Sequence, residues 1–211
     1  MTRRLPPALL CLSPGDLAPG RCSSFVDRVR AALAAGPIGV LVREPGLEDR
    51  AISELLDQLA PLVQTAGGWL GVHDRVHVAS ALDLAGAHLG YQSLAPREVR
   101  AAFGEDLVLG YSTHAGEEPA VWVGADYVFH GPVYDTPSKR GLKDPVGSDA
   151  LADFCAQCDV PVWAIGGISP ERAREVVARG ARGVAALSGV LGAADPAGAA
   201  GAYIDALGGQ L

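Results

Sequence analysis

Two turns near the C-terminal end of the chain contain residues whose types and spacing are suited to binding a ligand. Each turn follows a short apolar run, and the residues concerned are Gly166, Gly167, Ser188 and Gly189. Glycine has no side chain, so a phosphate can approach the backbone closely, and free N–H groups at a helix start favour an anion. The turns therefore predict a phosphate site. The alternative is that the glycines only shape tight turns.

A long glycine-rich loop lies between this region and the strand before it. The loop, residues 131–147, reads GPVYDTPSKRGLKDPVG and carries Thr136, Lys139 and other polar or basic side chains. Loops of this length are often lids or binding loops. We expect it to cover an anionic ligand; the alternative is a basic loop facing solvent.

Eight strand–helix units account for the whole chain and place these turns. Apolar runs predict strands at 8–12, 38–42, 70–72, 87–89, 107–111, 127–130, 162–165 and 183–187. Helical patterns lie between the runs, the weakest at 116–123. Strict alternation implies a parallel sheet. Eight units in 211 residues predict an α/β fold, a single-domain (β/α)8 TIM barrel over residues 1–211. An open doubly wound sheet is the alternative, but no GxGxxG motif follows the first strand.

Composition excludes several classes of partner. The formal net charge of −7 argues against nonspecific nucleic-acid binding. No apolar run is long enough to cross a bilayer, and the N-terminal dozen residues do not resemble a signal peptide. A cytoplasmic protein with no membrane partner is therefore expected.

Metal-binding patterns are weak. His73 and His77 are four residues apart, and Cys155 and Cys158 form a CxxC pair. Neither pair has further metal-ligating residues nearby in the sequence that would complete a metal site. We expect no metal site and no cofactor. His130, late in the sixth predicted strand, is expected to line the barrel mouth.

The chain resembles the thiamin phosphate synthase and TenI superfamily over nearly its whole length. The matching segments are LVREP, VHDRVHVA, AHLGYQSL, GYSTHA, GADYVFHGPVYDTPSKRG, VWAIGGISPE and GVAALSGV. The resemblance implies a TIM barrel acting on a thiazole phosphate, with Arg43, Asp74, Ser112 and Lys139 kept from the family pattern. Segments HLGYQSL and TPSKRGL look more like TenI than like the synthase.

Departures from the synthase pattern bear on activity. Leu41 and Pro45 stand where the synthase has a glutamine and a lysine, and His73 replaces an asparagine. Ser93 replaces the second aspartate that binds magnesium. Because leucine and proline side chains offer no hydrogen bond, the diphosphate end of the site is depleted.

A protein that keeps the thiazole phosphate end but loses the diphosphate end matches TenI, so the resemblance implies thiazole tautomerase activity. That reaction is an aromatising proton shift on a carboxylated thiazole phosphate, and His114 stands in the position of the TenI catalytic histidine. Histidine suits such a transfer near neutral pH. The alternatives are a thiamin phosphate synthase with an altered diphosphate site and a noncatalytic regulatory protein that binds a phosphorylated ligand. The sequence leaves the oligomeric state open, with a homodimer as the commonest arrangement.

Overall fold

Eight parallel strands close into a barrel in the computed structural model, which describes residues 4–114, 116–136 and 144–208. Neighbouring strands pair in sequence order, and β1 closes on β8. The strands are β1 Leu9–Leu12, β2 Gly39–Val42, β3 Trp69–His73, β4 Gly86–Leu89, β5 Val108–Thr113, β6 Tyr127–His130, β7 Val162–Ile165 and β8 Gly183–Ala186. The predicted (β/α)8 TIM barrel is confirmed.

Helices surround the barrel and connect its strands. Seven α-helices occur in the described residues: α1 Cys22–Leu33, α2 Asp49–Thr65, α3 Val76–Ala81, α4 Pro96–Phe103, α5 Gly147–Gln157, α6 Pro170–Ala178 and α7 Pro196–Ala206. One face of each packs on the sheet; on α2 this face includes Ile52, Leu56 and Leu59. No described helix is both long and apolar enough to cross a membrane.

The connection between β5 and β6 differs from the prediction. The weak helix expected at 116–123 is a 3-10 helix, Pro119–Trp122. Glycines with positive φ at 116 and 124 flank it, and Pro119 begins it. Glycine and proline both disfavour a longer α-helix, so the helix is limited to a short 3-10 segment.

Large aromatic side chains fill the barrel interior because glycines on neighbouring strands make room for them. A Cβ added to Gly86 on β4 would lie 2.7 Å from the Trp69 ring on β3, and one added to Gly183 on β8 would lie 2.7 Å from Trp163 Nε1 on β7. Trp69, Trp163 and Tyr127 are fully buried there. The interior is thus a packed core whose open end is the rim at the carboxyl ends of the strands.

His130 points outward, contrary to the prediction that it lines the barrel mouth. Side chains alternate along a strand, and Phe129 takes the inward direction. His130 instead stacks on Phe154 of α5, with ring centroids 3.8 Å apart, and lies 2.9 Å from the Thr113 hydroxyl. The apolar run 127–130 predicts the position of the strand correctly, but its length does not show which of its side chains face the barrel interior.

Candidate active site

The rim at the carboxyl ends of the strands collects most of the predicted site residues. Arg43 follows β2, Asp74 follows β3, Ser112 lies late in β5 and His114 directly follows it. The glycine turns follow β7 and β8. All of them therefore lie at the end of the barrel where this fold places its chemistry.

Asp74 is held in an uncommon backbone conformation by hydrogen bonds to both carboxylate oxygens. Its φ is +61°, which non-glycine residues seldom adopt. Oδ2 accepts from His73 Nδ1 at 2.9 Å, and Oδ1 accepts from Gly90 N at 2.9 Å and from the Ser93 hydroxyl. Ser93, predicted as the replacement for a carboxylate, thus bonds to the carboxylate that remains.

These contacts keep Asp74 ionised. Burial alone would raise the pKa of Asp74, but the hydrogen bond and charge of His73 oppose it. With the further hydrogen bonds from Ser93 and Gly90, they hold the pKa well below its usual range. The Asp74 carboxyl group is therefore ionised at neutral pH.

His77 plays no part in this cluster. Its Nε2 lies 2.7 Å from Asp49 Oδ2, and Arg75 Nε lies 2.7 Å from the other oxygen of the same carboxylate. His73 and His77 therefore contact two different carboxylates, those of Asp74 and Asp49. In the described residues no three His, Cys, Asp or Glu side chains cluster as a metal site.

Arg43 lies exposed beside the loop that follows β1. Its backbone N donates to the Ser13 hydroxyl at 2.7 Å, and its guanidinium approaches Gly15. The neighbouring Glu44, which the sequence did not single out, is buried and accepts from the N–H groups of Gly15 and Leu17 at 2.8 Å each. Glu44 thereby fixes the loop against which Arg43 lies.

The depleted positions beside Arg43 differ in their surroundings. Leu41 is fully buried in the barrel interior, where it packs with other apolar side chains, whereas Pro45 is exposed. Neither can bind an anion through its side chain. Arg43 is thus the cation that β2 supplies to the rim.

His114 is paired with a carboxylate three residues further on. Its Nδ1 lies 3.3 Å from Glu117 Oε1, and its backbone N donates to Glu117 Oε2 at 3.0 Å. The Tyr91 ring meets the imidazole edge-on at 5.0 Å. A carboxylate at one ring nitrogen orients an imidazole for proton transfer at the other. Sequence reasoning missed Glu117, although the HxxE spacing is its signal.

Ser112 is anchored from below by residues that the sequence did not assign to the site. Its hydroxyl lies 2.9 Å from Nε2 of His88, and the other nitrogen of that ring lies 3.2 Å from the Tyr127 hydroxyl. His88 and Tyr127 are both fully buried. Ser112, His88 and Tyr127 lie on three different strands and far apart in the chain. No local sequence motif therefore predicts that they meet.

The glycine turn after β7 is shaped by its contact with the loop after β6. Gly166 and Gly167 have φ of +98° and +65°. A Cβ on Gly167 would lie 2.5 Å from Asp135 O, so this position excludes any side chain. The carbonyls of the two glycines accept from Tyr134 N at 3.1 Å and Arg172 Nη1 at 2.7 Å. Tight packing thus accounts for both glycines, and phosphate binding by their N–H groups stays a prediction.

Ser188 and Gly189 are exposed at the turn after β8, beside a cavity of about 460 Å³. The cavity lies between this turn and the loop after β1, and Ser188, Pro14 and Arg21 are among its lining residues. Arg28 braces this side of the barrel by donating from Nε to Leu191 O at 2.5 Å and from Nη2 to Ala193 O. The predicted phosphate position is therefore open to solvent.

The loop after β6 is described only at its two ends. Thr136 is half-buried at the end of the first part, whereas Lys139 lies outside the described residues. The described part is tied to α6, because the Tyr134 hydroxyl donates to Glu175 Oε2 at 2.7 Å. Arg172 also lies 4.3 Å above the Tyr134 ring.

Comparison with known proteins matches the chain to one family model. The model of the thiamine monophosphate synthase family, TMP-TENI, matches residues 17–190. The barrel superposes on the thiamine phosphate pyrophosphorylase of Pyrococcus furiosus with a TM-score of 0.82 and 29% identity, over 97% of this chain and 98% of that one.

Sequence relatives agree. A thiamine-phosphate synthase of Roseiflexus castenholzii is 40% identical over 184 residues, which is 86% of this chain and 81% of that protein. The bifunctional ThiM/ThiE protein of Symbiobacterium thermophilum is also 40% identical, over 92% of this chain, and the match spans 43% of that longer protein. The closer resemblance to TenI stays a prediction, because these relatives carry synthase names. The chain belongs to the thiamine monophosphate synthase family.

Proposed function

We propose that the protein is a thiamine-phosphate synthase that works with a reduced diphosphate site. The observation that carries this proposal is the match to synthase-named relatives at 34–40% identity across most of the chain. In the proposed reaction, the thiazole nitrogen displaces diphosphate from the methylene carbon of an activated pyrimidine. One carbon–nitrogen bond forms, one carbon–oxygen bond breaks, and the products are thiamine monophosphate and diphosphate.

The predicted site residues at the rim would have different roles in such a reaction. The turns after β7 and β8 would hold the thiazole phosphate. Arg43 would face the diphosphate, whose charge grows as it leaves. Ser112 would contact a heterocycle between the two. Thr136 and Lys139, which belong to the loop segment after β6, would bind the anion.

Magnesium, which diphosphate chemistry in this family implies, has a modest set of protein ligands here. A carboxylate offers about four lone-pair positions, and three on Asp74 are used by His73, Gly90 and Ser93. One position remains, and Mg²⁺ is often bound by one or two carboxylates with water and substrate phosphates. Asp74 fits a magnesium ion held mainly by the substrate. The ion would neutralise the leaving diphosphate.

Thiazole tautomerase is the second candidate, and two observations favour it. The hydroxyl of Ser93 satisfies Asp74 in place of a second carboxylate, and Glu117 orients His114 for proton transfer. An aromatising proton shift needs a base and a phosphate site, but no diphosphate site. Comparison with relatives favours the synthase over this alternative.

Two parallel incubations separate the candidates. In the first, the enzyme receives the pyrimidine diphosphate, the thiazole phosphate and Mg²⁺, and thiamine monophosphate is quantified. In the second, it receives the carboxylated thiazole phosphate tautomer alone, and aromatisation is followed by NMR. The proposal predicts turnover in the first. Turnover confined to the second would replace it with the tautomerase, and binding without turnover in either would favour a regulatory role.

A further inference from the structure

A chain of hydrogen bonds runs through the barrel interior and ends at Ser112 on the rim. It begins at the Tyr127 hydroxyl on β6, passes through both ring nitrogens of His88 on β4 and reaches the Ser112 hydroxyl on β5. The two heavy-atom distances are 3.2 and 2.9 Å. Of the three side chains in this hydrogen-bond series, only that of Ser112 is not fully buried.

Packing fixes the imidazole in this position. Phe129 stacks on the His88 ring with centroids 3.8 Å apart. Gly110 lies between the two partners: a Cβ there would be 2.2 Å from Tyr127 Cζ and 2.3 Å from His88 Nδ1. The missing side chain on β5 is therefore what allows Tyr127 and His88 to meet.

The direction of the hydrogen bonds follows from counting protons. Desolvation by burial raises the pKa of Tyr127 and lowers that of His88, so the phenol keeps its proton and the imidazole is neutral. A neutral imidazole has one N–H and one acceptor nitrogen. The phenol proton needs an acceptor, and in the described structure its partner is His88 Nδ1.

If Nδ1 accepts, Nε2 carries the ring proton and donates to Ser112 Oγ. The serine proton is then free to point away from the barrel interior. The reverse arrangement would leave the Tyr127 proton buried without an acceptor, and burying an unsatisfied donor is costly. Geometry and burial thus select one of the two directions.

We propose that Tyr127 and His88 are positioning residues that direct the Ser112 hydroxyl proton to the barrel mouth, so that the substrate atom at Ser112 is a hydrogen-bond acceptor. The substrate half of this inference rests on the proposed function, which places the heterocycle at the rim. An unprotonated ring nitrogen of an aromatic heterocycle fits, and an amino group at the same point does not.

The tautomer of His88 tests the relay without any ligand. Long-range ¹H–¹⁵N correlation on ¹⁵N-histidine-labelled protein distinguishes Nε2–H from Nδ1–H, and loss of the signal in His88→Gln assigns it. The proposal predicts Nε2–H in the wild type and a change of tautomer population in Tyr127→Phe. Tyr111→Phe is the matched control, because that buried tyrosine faces outward on the same strand as Ser112. An Nδ1–H tautomer in the wild type, or no change in Tyr127→Phe, would overturn the relay.

A mutant cycle tests the link to the substrate, with thiamine monophosphate as the calorimetric probe. Tyr127→Phe should weaken binding roughly 3- to 10-fold, the usual effect of one hydrogen bond, and should have no further effect in a Ser112→Ala background. Additive losses would overturn the inference, since they would show that Tyr127 acts by packing alone. Failure of the wild-type protein to bind the probe would refute the proposed function and the substrate half of the inference, while the tautomer measurement would still decide the relay.

Discussion

Single side chains decide which reaction the rim supports. Asp74 is the rim carboxylate, and the hydroxyl of Ser93, where the resemblance implies a second carboxylate in the synthase, donates to it directly. Arg43 is the cation that remains beside Leu41 and Pro45. If the protein is the proposed synthase, its site carries fewer charges than the family pattern implies, and its dependence on magnesium should reveal this.

Ser93→Asp should restore the second carboxylate of the magnesium site. The Mg²⁺ concentration that gives half-maximal thiamine monophosphate formation should fall about tenfold, because a second anionic oxygen would coordinate the ion. Ser93→Asn is the neutral control of matching size. Equal magnesium dependence in the two variants would show that Ser93 does not lie at the metal position.

His114→Gln separates the two candidate reactions. If the protein aromatises the carboxylated thiazole phosphate, this variant should lower that turnover by about 10²- to 10⁴-fold, the usual range for general acid–base catalysis. His77→Gln is the control, since the His77 side chain contacts Asp49 and takes no part in the His114–Glu117 pair. Near-normal tautomerase turnover in His114→Gln would show that another group moves the proton.

Elements place these side chains, and the turns after β7 and β8 illustrate how. The Gly166-Gly167 turn is fixed by the loop after β6, so a bulky change at Gly167 would disturb that packing and would not test phosphate binding cleanly. Ser188 is exposed and offers a better position.

Ser188→Asp should weaken phosphate binding by charge repulsion, with no added atoms at the glycines. We expect affinity for thiamine monophosphate to fall at least about tenfold relative to Ser188→Asn, the isosteric neutral control. Isothermal titration calorimetry at two salt concentrations would measure it. Equal affinities for the two variants would place the phosphate elsewhere.

Gly110→Ala tests the packing of the barrel interior. The new methyl group would overlap both Tyr127 and His88, so the free energy of unfolding should fall by about 1–3 kcal/mol or more. Gly201→Ala in α7, where the nearest atom is 3.9 Å away, is the control and should leave the protein as stable or slightly more stable. Urea unfolding would measure both variants. An unchanged stability in Gly110→Ala would mean that the interior is not tightly packed there.

At the scale of the whole molecule, the sequence predicts the barrel well because alternating apolar runs and helices reflect it directly. The apolar runs 127–130 and 162–165 coincide with β6 and β7. The direction of the His130 side chain was predicted wrongly, since the length of a strand does not fix which residues face inward. The helix expected at 116–123 was also wrong, because Gly116, Pro119 and Gly124 limit it to a short 3-10 helix. The partners of Ser112 were not predictable, because strand pairing brings together residues far apart in the chain.

The family assignment and the anionic ligands form one consistent picture. A chain with a net charge of −7 would have to attract phosphates locally, and Arg43 at the rim and the turns after β7 and β8 are the predicted positions for that attraction. The (β/α)8 fold itself supports many reactions. The side chains at the rim must therefore determine which reaction the protein catalyses.

The most direct test of the synthase proposal is product stoichiometry. Wild-type protein is incubated with the pyrimidine diphosphate, the thiazole phosphate and Mg²⁺, and thiamine monophosphate and released diphosphate are both quantified over time. The account predicts that the two products appear together in a one-to-one ratio and only when both substrates are present. Diphosphate release without thiamine monophosphate, or no product at any magnesium concentration, would contradict it.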